Sequence, residues 1–218
     1  MPRGPSGGAT PVPAAGLRVA AFASGLDHPR WLLVLPNGDV LVAESNAPPK
    51  PAGSTGVMDW IAGQVMKRAG AGVPSANRIT LLRDADGDGV AELQTPLLEG
   101  LRQPFGMALV GDQFYVGNTD GVVVFPYTPG STRITAPGRQ LCKFRSNGHW
   151  TRSLLLSPDG SKLVYTTNLG GRYHVIVHEI ATKKEKTITK AMLNPSLKEK
   201  TALQKPCRIH PREKEGAL

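Results

Sequence analysis

The hydrophobic and polar positions along the chain repeat one short pattern three times. In each copy, a run of about four to six apolar residues precedes a turn rich in Gly, Asp or Asn, and a second apolar run follows. The copies lie at residues 25–44, 100–116 and 148–165. Two short apolar runs joined by such a turn are typical of an antiparallel β-hairpin. The pattern therefore predicts an all-β protein containing three hairpins.

The spacing of the copies predicts a β-propeller. They begin 75 and 48 residues apart, and the longer interval contains an insertion at residues 47–76 that is Pro/Gly-rich at one end. A repeat of about 45 to 50 residues built from antiparallel hairpins is typical of propeller blades. Apolar segments between the hairpins supply the outer strands: 78–83, 92–98 and 122–127. A small β-sandwich that reuses the same turns is the alternative fold.

The repeat also predicts the domain organisation. Three blades at most can be counted, whereas closed propellers have about four to eight. We therefore expect a β-propeller fragment of about three blades. The predicted regions are a disordered N-terminus at residues 1–16, the partial propeller at 17–168 and a basic, weakly structured tail at 169–218.

The composition changes after Asn168. Eight of the twelve lysines follow this residue, no aspartate does, and glycine becomes rare. Residues 173–180 still have the pattern of a strand, but from Lys190 onward no periodicity would bury one face of an element. Two hypotheses account for the tail: it is a remnant of the next blade, or it is translated in a non-native reading frame.

Overall composition excludes several classes of protein. The chain has 25 Gly and 19 Pro in 218 residues, too many for a coiled coil or a helical bundle. Its longest apolar runs are about five residues, far short of the roughly twenty that a membrane-spanning helix needs. No apolar secretory signal is readable at residues 1–8, so the sequence neither indicates nor excludes export.

The charge distribution argues against nucleic-acid binding. The net charge is +9, but residues 1–168 hold 15 Lys and Arg against 12 Asp and Glu, and residues 169–218 hold 11 against 5. Most of the excess therefore lies in the tail and not in the predicted folded body. Cys142 and Cys207 have no spacing that would indicate a zinc site or a disulfide framework.

Several motifs, in one order along residues 17–167, resemble a known family. The chain is similar to the L-sorbosone dehydrogenase branch of the glucose/sorbosone dehydrogenases. The matching segments are Leu26-Asp27-His28-Pro29-Arg30-Trp31, residues 35–46, Asn77-Arg78-Ile79-Thr80-Leu81-Leu82-Arg83 with the acidic segment 84–89, Pro104-Phe105-Gly106-Met107-Ala108-Leu109, and residues 149–160.

The resemblance implies a six-bladed propeller that uses pyrroloquinoline quinone (PQQ) and calcium. It further implies oxidation of aldoses or sugar aldehydes in the periplasm, with a separate electron acceptor. The blades that would carry most cofactor contacts in the family are expected beyond residue 168. We therefore expect this chain alone to be inactive, and whether it is an enzyme stays open. A non-catalytic propeller binding module and a non-functional truncated fragment are the alternatives.

His149 is the catalytic candidate that the resemblance supplies. In the family, a histidine at the inner end of a blade takes the proton of the substrate hydroxyl while hydride passes to the quinone. Imidazole suits this role because its ordinary pKa is about 6.5. The family has two histidines before the tryptophan, whereas this chain has Gly148-His149. Arg152 is the cofactor-binding candidate, and His28 and Arg30 are expected to serve packing and turn formation. The alternatives are a histidine that only fills a loop at position 149 and an ordinary surface arginine at position 152.

An acidic loop is the metal-binding candidate. Its carboxylates are Asp84, Asp86, Asp88 and Glu92. Alternating carboxylates with interspersed glycines are typical of loops that place oxygen ligands around Ca²⁺. Thr95 stands where an EF-hand loop has its bidentate glutamate, so binding would be weak or completed by water. A metal-free turn is the alternative. No motif indicates nucleotide binding or a serine hydrolase.

Overall fold

The protein is all-β across the residues that the structure describes. The computed structural model describes residues 11–48, 74–144, 150–169 and 172–188, and it contains no helix in these ranges. The strands are β1 Pro29–Val34, β2 Val40–Glu44, β3 Arg78–Arg83, β4 Leu93–Leu98, β5 Met107–Val110, β6 Gln113–Asn118, β7 Gly121–Pro126, β8 Arg139–Lys143, β9 Leu154–Leu156, β10 Lys162–Leu169, β11 Arg172–Glu179 and β12 Glu185–Thr187.

The strands form three antiparallel sheets of four strands each. Their orders are β1-β2-β3-β4, β5-β6-β7-β8 and β9-β10-β11-β12. Each sheet is thus a meander of consecutive strands, which is the construction of a propeller blade. The prediction of three blades is confirmed, and each predicted hairpin is the first strand pair of its sheet.

The hairpin turns form where the sequence predicts them. Between β1 and β2, Gly38 donates a backbone hydrogen bond to Leu35 (2.9 Å) and has a φ of +90°. The Asp39 carboxylate accepts a hydrogen bond from Asn37 Nδ2 at 2.8 Å, so a side-chain contact also stabilises the turn. Gly160 occupies the corresponding place between β9 and β10, with a φ of +67°. Both turns use glycine because L side chains disfavour this backbone region.

The third sheet extends past the change in composition at residue 168. Strand β10 continues to Leu169, and β11 pairs with it from Arg172 to Glu179. Strand β12 adds the outer edge, paired with Ile176, Val177 and His178 of β11. Strands β11 and β12 are therefore the outer strands of the third sheet. The positions from 189 to the C-terminus lie outside the described residues, as do positions 1–10 and most of the predicted insertion.

Close contacts divide the described residues into two units. The first holds the residues up to Pro104 together with Pro129–Ile134, and it contains β1–β4. The second holds Phe105–Thr128 and the residues from Thr135 onward, and it contains β5–β12. Each unit has its own apolar core. Fully buried side chains of the first are Leu41, Val42, Ala43, Ile79, Leu81 and Leu97; those of the second include Val116, Val122, Leu163 and Ile176.

No helix in the described ranges is long and apolar enough to cross a membrane.

Candidate functional site

Each sheet has two ends, and the candidate residues divide between them. We call the upper edge the end at which the first strand begins, the second strand ends and the third strand begins. The lower edge is the opposite end. Arg152 lies at the upper edge of the third sheet, just before β9, whereas the acidic loop joins β3 to β4 at the lower edge of the first sheet. His149 lies outside the described residues.

Arg152 is buried in the second unit. Its side chain is only 1% exposed, and its guanidinium lies over the ring of Phe144, 5.5 Å from the ring centre. Nη1 is 3.4 Å from the carbonyl oxygen of Thr151. A guanidinium packed on an aromatic face gains a cation–π attraction that is strongest out of water. This contact joins the residues just before β9 to the residue that follows β8.

Two glycines let the backbone of Arg152 approach the second sheet. Gly106 donates its N–H to the Arg152 carbonyl oxygen at 3.0 Å. A Cβ added to Gly106 would lie 2.5 Å from this oxygen, and one added to Gly117 would lie 2.7 Å from it. No side chain fits at these separations, so both positions require glycine. The two glycines thus allow the backbone at Arg152 to lie close to the second sheet.

Asn118 and Thr119 bring further polar groups to the upper edge of the second sheet. They are 5% and 7% exposed, at the turn between β6 and β7. Among the described residues, Asn118 Oδ1 and Thr119 Oγ1 are buried with no hydrogen-bond partner. A buried polar atom left in this state is unusual in proteins. Sequence analysis missed both residues because an Asn-Thr-Asp-Gly segment is also an ordinary hairpin turn.

A buried polar cluster connects the last three strands of the third sheet. Tyr165 on β10 donates a hydrogen bond to Glu185 Oε1 on β12 at 2.8 Å, and His178 Nδ1 on β11 lies 3.1 Å from the same oxygen. Burial raises the pKa of Tyr165 above its ordinary range, and the nearby Glu185 carboxylate adds to the effect. The Tyr165 ring also packs on Phe144, with ring centres 5.0 Å apart.

A buried ion-pair cluster lies at the upper edge of the first sheet. Glu44 is fully buried and accepts two hydrogen bonds from Arg78, at 2.8 and 3.0 Å. The Thr80 hydroxyl and the Asp27 N–H also donate to this carboxylate. Burial raises the pKa of Glu44, but the hydrogen bonds from Arg78, Thr80 and Asp27 together outweigh it and hold the pKa below its ordinary value.

The acidic loop gathers its four carboxylates as its spacing predicts. One ligand atom from each of Asp84, Asp86, Asp88 and Glu92 lies within 4.8 Å of the others. Asp84 accepts from the N–H groups of Gly87 and Gly89 at 2.6 and 2.9 Å, and Glu92 accepts from Ala85 at 2.7 Å. Both glycines have a φ between +79° and +89°. Oxygen ligands on such a curved backbone suit a hard cation such as Ca²⁺.

Comparisons with known proteins identify the fold. No protein-family profile and no curated protein sequence matches the chain. Among solved structures, the holo form of the pyranose dehydrogenase PQQ domain from Coprinopsis cinerea matches with a TM-score of 0.56 and 17% sequence identity. The match covers 77% of this chain and 37% of that domain. The chain thus has the β-propeller fold of a PQQ domain and spans just over a third of its length.

Proposed function

We propose that this chain is part of a PQQ-dependent sugar dehydrogenase of the glucose/sorbosone type. The observation that carries the proposal is the propeller fold shared with the PQQ domain of a pyranose dehydrogenase. The motifs along residues 17–167, which resemble the sorbosone branch, add independent support. On this proposal the substrate is an aldose or a sugar aldehyde, electrons leave to a separate acceptor, and the protein works in the periplasm or outside the cell.

His149 is the general base in this proposal. A neutral imidazole has an ordinary pKa of about 6.5 and suits removal of the proton of a sugar hydroxyl near neutral pH. Arg152, three positions later in the chain, is held by two contacts. Arg152 is anchored on Phe144, and its carbonyl oxygen is held by Gly106. The proposed role of Arg152 is to stabilise this segment and add positive charge beside an anionic cofactor.

The described residues do not by themselves fit PQQ. This cofactor is planar and carries three carboxylates, so a tight site needs several convergent charged donors. At the upper edges of the second and third sheets, Arg152 is the one arginine whose side chain the structure describes, and it is buried against Phe144. We therefore propose that the tight cofactor site needs residues outside the described ranges, and that this chain alone does not oxidise sugars.

The acidic loop is proposed to bind Ca²⁺ as a structural site. It lies at the lower edge of the first sheet, away from the upper edge at which β1 begins. Calorimetric titration of the metal-free full chain should show weak binding, with a Kd of about 0.1 to 1 mM. Asp84→Asn should abolish it, because this carboxylate also holds Gly87 and Gly89. Asp112→Asn, in another turn, is the matched control, and equal loss in both variants would contradict the assignment.

Dye-linked sugar oxidation tests the catalytic proposal. The full chain, supplied with PQQ and Ca²⁺, should reduce no dye with aldoses. A longer product that completes the propeller should reduce it, and His149→Ala in that product should lower the rate by about a hundredfold or more. Asp112→Asn, in the turn between β5 and β6, serves as the control. Dye reduction at an unchanged rate in His149→Ala would reject the base, and a longer product that binds no quinone would identify a non-catalytic binding module.

A further inference from the structure

A strained backbone surrounds His28 at the upper edge of the first sheet. Four non-glycine residues in the described ranges have positive φ, and three of them belong to this unit: His28 at +52°, Asn77 at +52° and Gln103 at +43°. Left-handed backbone at such residues is uncommon and persists where surrounding contacts fix it. Side-chain and backbone hydrogen bonds that involve these residues supply the contacts.

The orientation of Asn46 fixes the tautomer of His28. Asn46 Oδ1 accepts a hydrogen bond from the Ala47 N–H at 2.8 Å, so the amide nitrogen is the atom that faces the imidazole. This Nδ2 lies 3.4 Å from His28 Nε2 and donates to it. In a neutral imidazole one ring nitrogen accepts and the other donates. Because Nε2 accepts, Nδ1 carries the proton and is the donor of the ring.

A second layer of hydrogen bonds holds Asn46 in place. The Asn46 N–H donates to Ser75 Oγ at 2.9 Å, and the Ser75 hydroxyl donates to Asn77 Oδ1 at 2.7 Å. The Gln103 N–H donates to the same Asn77 oxygen at 3.0 Å. Asn46 is 9% exposed, whereas His28 is only partly buried. The network thus holds Asn46 in place beside a histidine that is only partly buried.

Charged side chains near the start of β1 are engaged in ion pairs and hydrogen bonds. Asp27 and Glu44 share the guanidinium of Arg78, and Arg30 Nε donates to the Ser45 carbonyl oxygen at 3.1 Å. An uncharged imidazole N–H suits a hydroxyl or carbonyl oxygen as its acceptor.

We propose that His28 Nδ1 donates a hydrogen bond to a hydroxyl or carbonyl oxygen of a neutral sugar at the upper edge of the first sheet. The choice of sugar rests on the proposed function; the donor assignment rests on the Asn46 contacts. His28 is thereby a ligand-binding residue, which goes beyond the packing role expected from its motif. Asn46 is the positioning residue that selects the donating nitrogen.

Nitrogen-resolved NMR of the ¹⁵N-labelled full chain tests the proposal. The His28 ring should show the Nδ1-protonated tautomer above neutral pH, and Asn46→Ala should allow both tautomers. Titration with methyl β-D-glucoside to about 100 mM should shift the His28 Nδ1 resonance. This glucoside has no free anomeric hydroxyl, so binding is read without oxidation. His174, on β11, is the internal control and should not shift.

The titration and the tautomer decide between the alternatives. A saturable shift at His28 supports the proposal if Asn46→Ala also lowers the affinity for the glucoside at least tenfold. The opposite tautomer, no shift at His28, or equal shifts at His28 and His174 would overturn it. Asn46→Asp replaces Asn46→Ala if the alanine variant does not fold, and the wild-type titration decides in either case. Sugar oxidation by a longer product without any shift at His28 would reject this site alone and leave the proposed function standing.

Discussion

Strands β1 and β5 hold the same place in successive sheets, yet they differ in burial. In β1, Trp31, Leu32 and Val34 are 37%, 62% and 66% exposed. In β5, Met107 and Ala108 are 3% and 9% exposed. Both strands are largely apolar, so their own residues do not explain the difference. Burial of a first strand must come from what packs beside it.

The second unit shows what packs beside β5. Strand β9 of the third sheet lies against it, and Gly106, just before β5, is hydrogen-bonded to Arg152, just before β9. No strand in the described part of the first unit covers β1 in this way. A propeller blade thus gains stability from its neighbour as well as from its own four strands. The predictions below test this difference.

Alanine substitution of one apolar side chain in β1 and one in β5 should give the largest difference in stability between the two strands. Met107→Ala removes a buried side chain and should lower the free energy of unfolding by about 3 kcal/mol. Leu32→Ala removes an exposed one and should lower it by at most about 0.5 kcal/mol. Urea denaturation of the full chain measures both. Equal losses would show that β1 is as buried in solution as β5.

A methyl group at the contact between β5 and β9 should have the next largest effect. Gly106→Ala would place its Cβ 2.5 Å from the Arg152 carbonyl oxygen and should cost about 2 to 3 kcal/mol. Gly130→Ala is the matched control, because its Cβ would meet nothing within 4 Å and only its φ of +81° is strained. We expect about 1 kcal/mol for the control in urea denaturation. A larger loss of stability in the control would show that the close approach to Arg152 does not explain the effect of Gly106→Ala.

The first unit depends on its internal ion pairs instead. Glu44→Gln removes the buried charge that pairs with Arg78 and should lower the free energy of unfolding by about 2 kcal/mol. Glu99→Gln is the control, since Glu99 lies 3.8 Å from Arg133 with both side chains largely exposed; it should cost about 0.5 kcal/mol or less. The same denaturation series measures both variants. If Glu44→Gln has no larger effect than its control, the cluster does not stabilise this edge.

Acid should weaken the first unit through the carboxylates of Asp39 and Glu44. Hydrogen bonds from Arg83 lower the pKa of Asp39, with burial opposing and Asn37 assisting, and the pKa of Glu44 is lowered as described above. A lowered folded-state pKa gives stability that is full above the ordinary carboxyl pKa of about 4 and is lost as pH falls through the folded value.

Unfolding free energies between about pH 6 and pH 3 measure this loss. The wild-type chain should lose stability over this window, and Asp39→Asn should lose less because one linked carboxylate is gone. An identical slope in both proteins would show that Asp39 titrates normally in the folded chain.

Local sequence signals predicted the turns and the gathering of carboxylates in the acidic loop. Gly38 and Gly160 lie in turns that their own neighbours define, and the acidic carboxylates converge because they belong to one loop. The Glu44–Arg78 pair was not predicted, since its partners lie 34 positions apart across the insertion. Strand β8 was also missed, because only Leu141 and Cys142 of its residues are buried and its pattern is weak.

The coding sequence downstream of Leu163 tests the central claim most directly. DNA sequencing from this codon to several hundred bases beyond Leu218, translated in all three frames, should reveal further Gly/Asp-turn hairpins at a period of about 45 to 50 residues, with arginine-rich loops. That result would place the described blades within a complete quinone-dependent sugar dehydrogenase. Confirmation of the present frame, with no propeller pattern in any frame, would contradict the proposal and leave a three-bladed protein without a cofactor site.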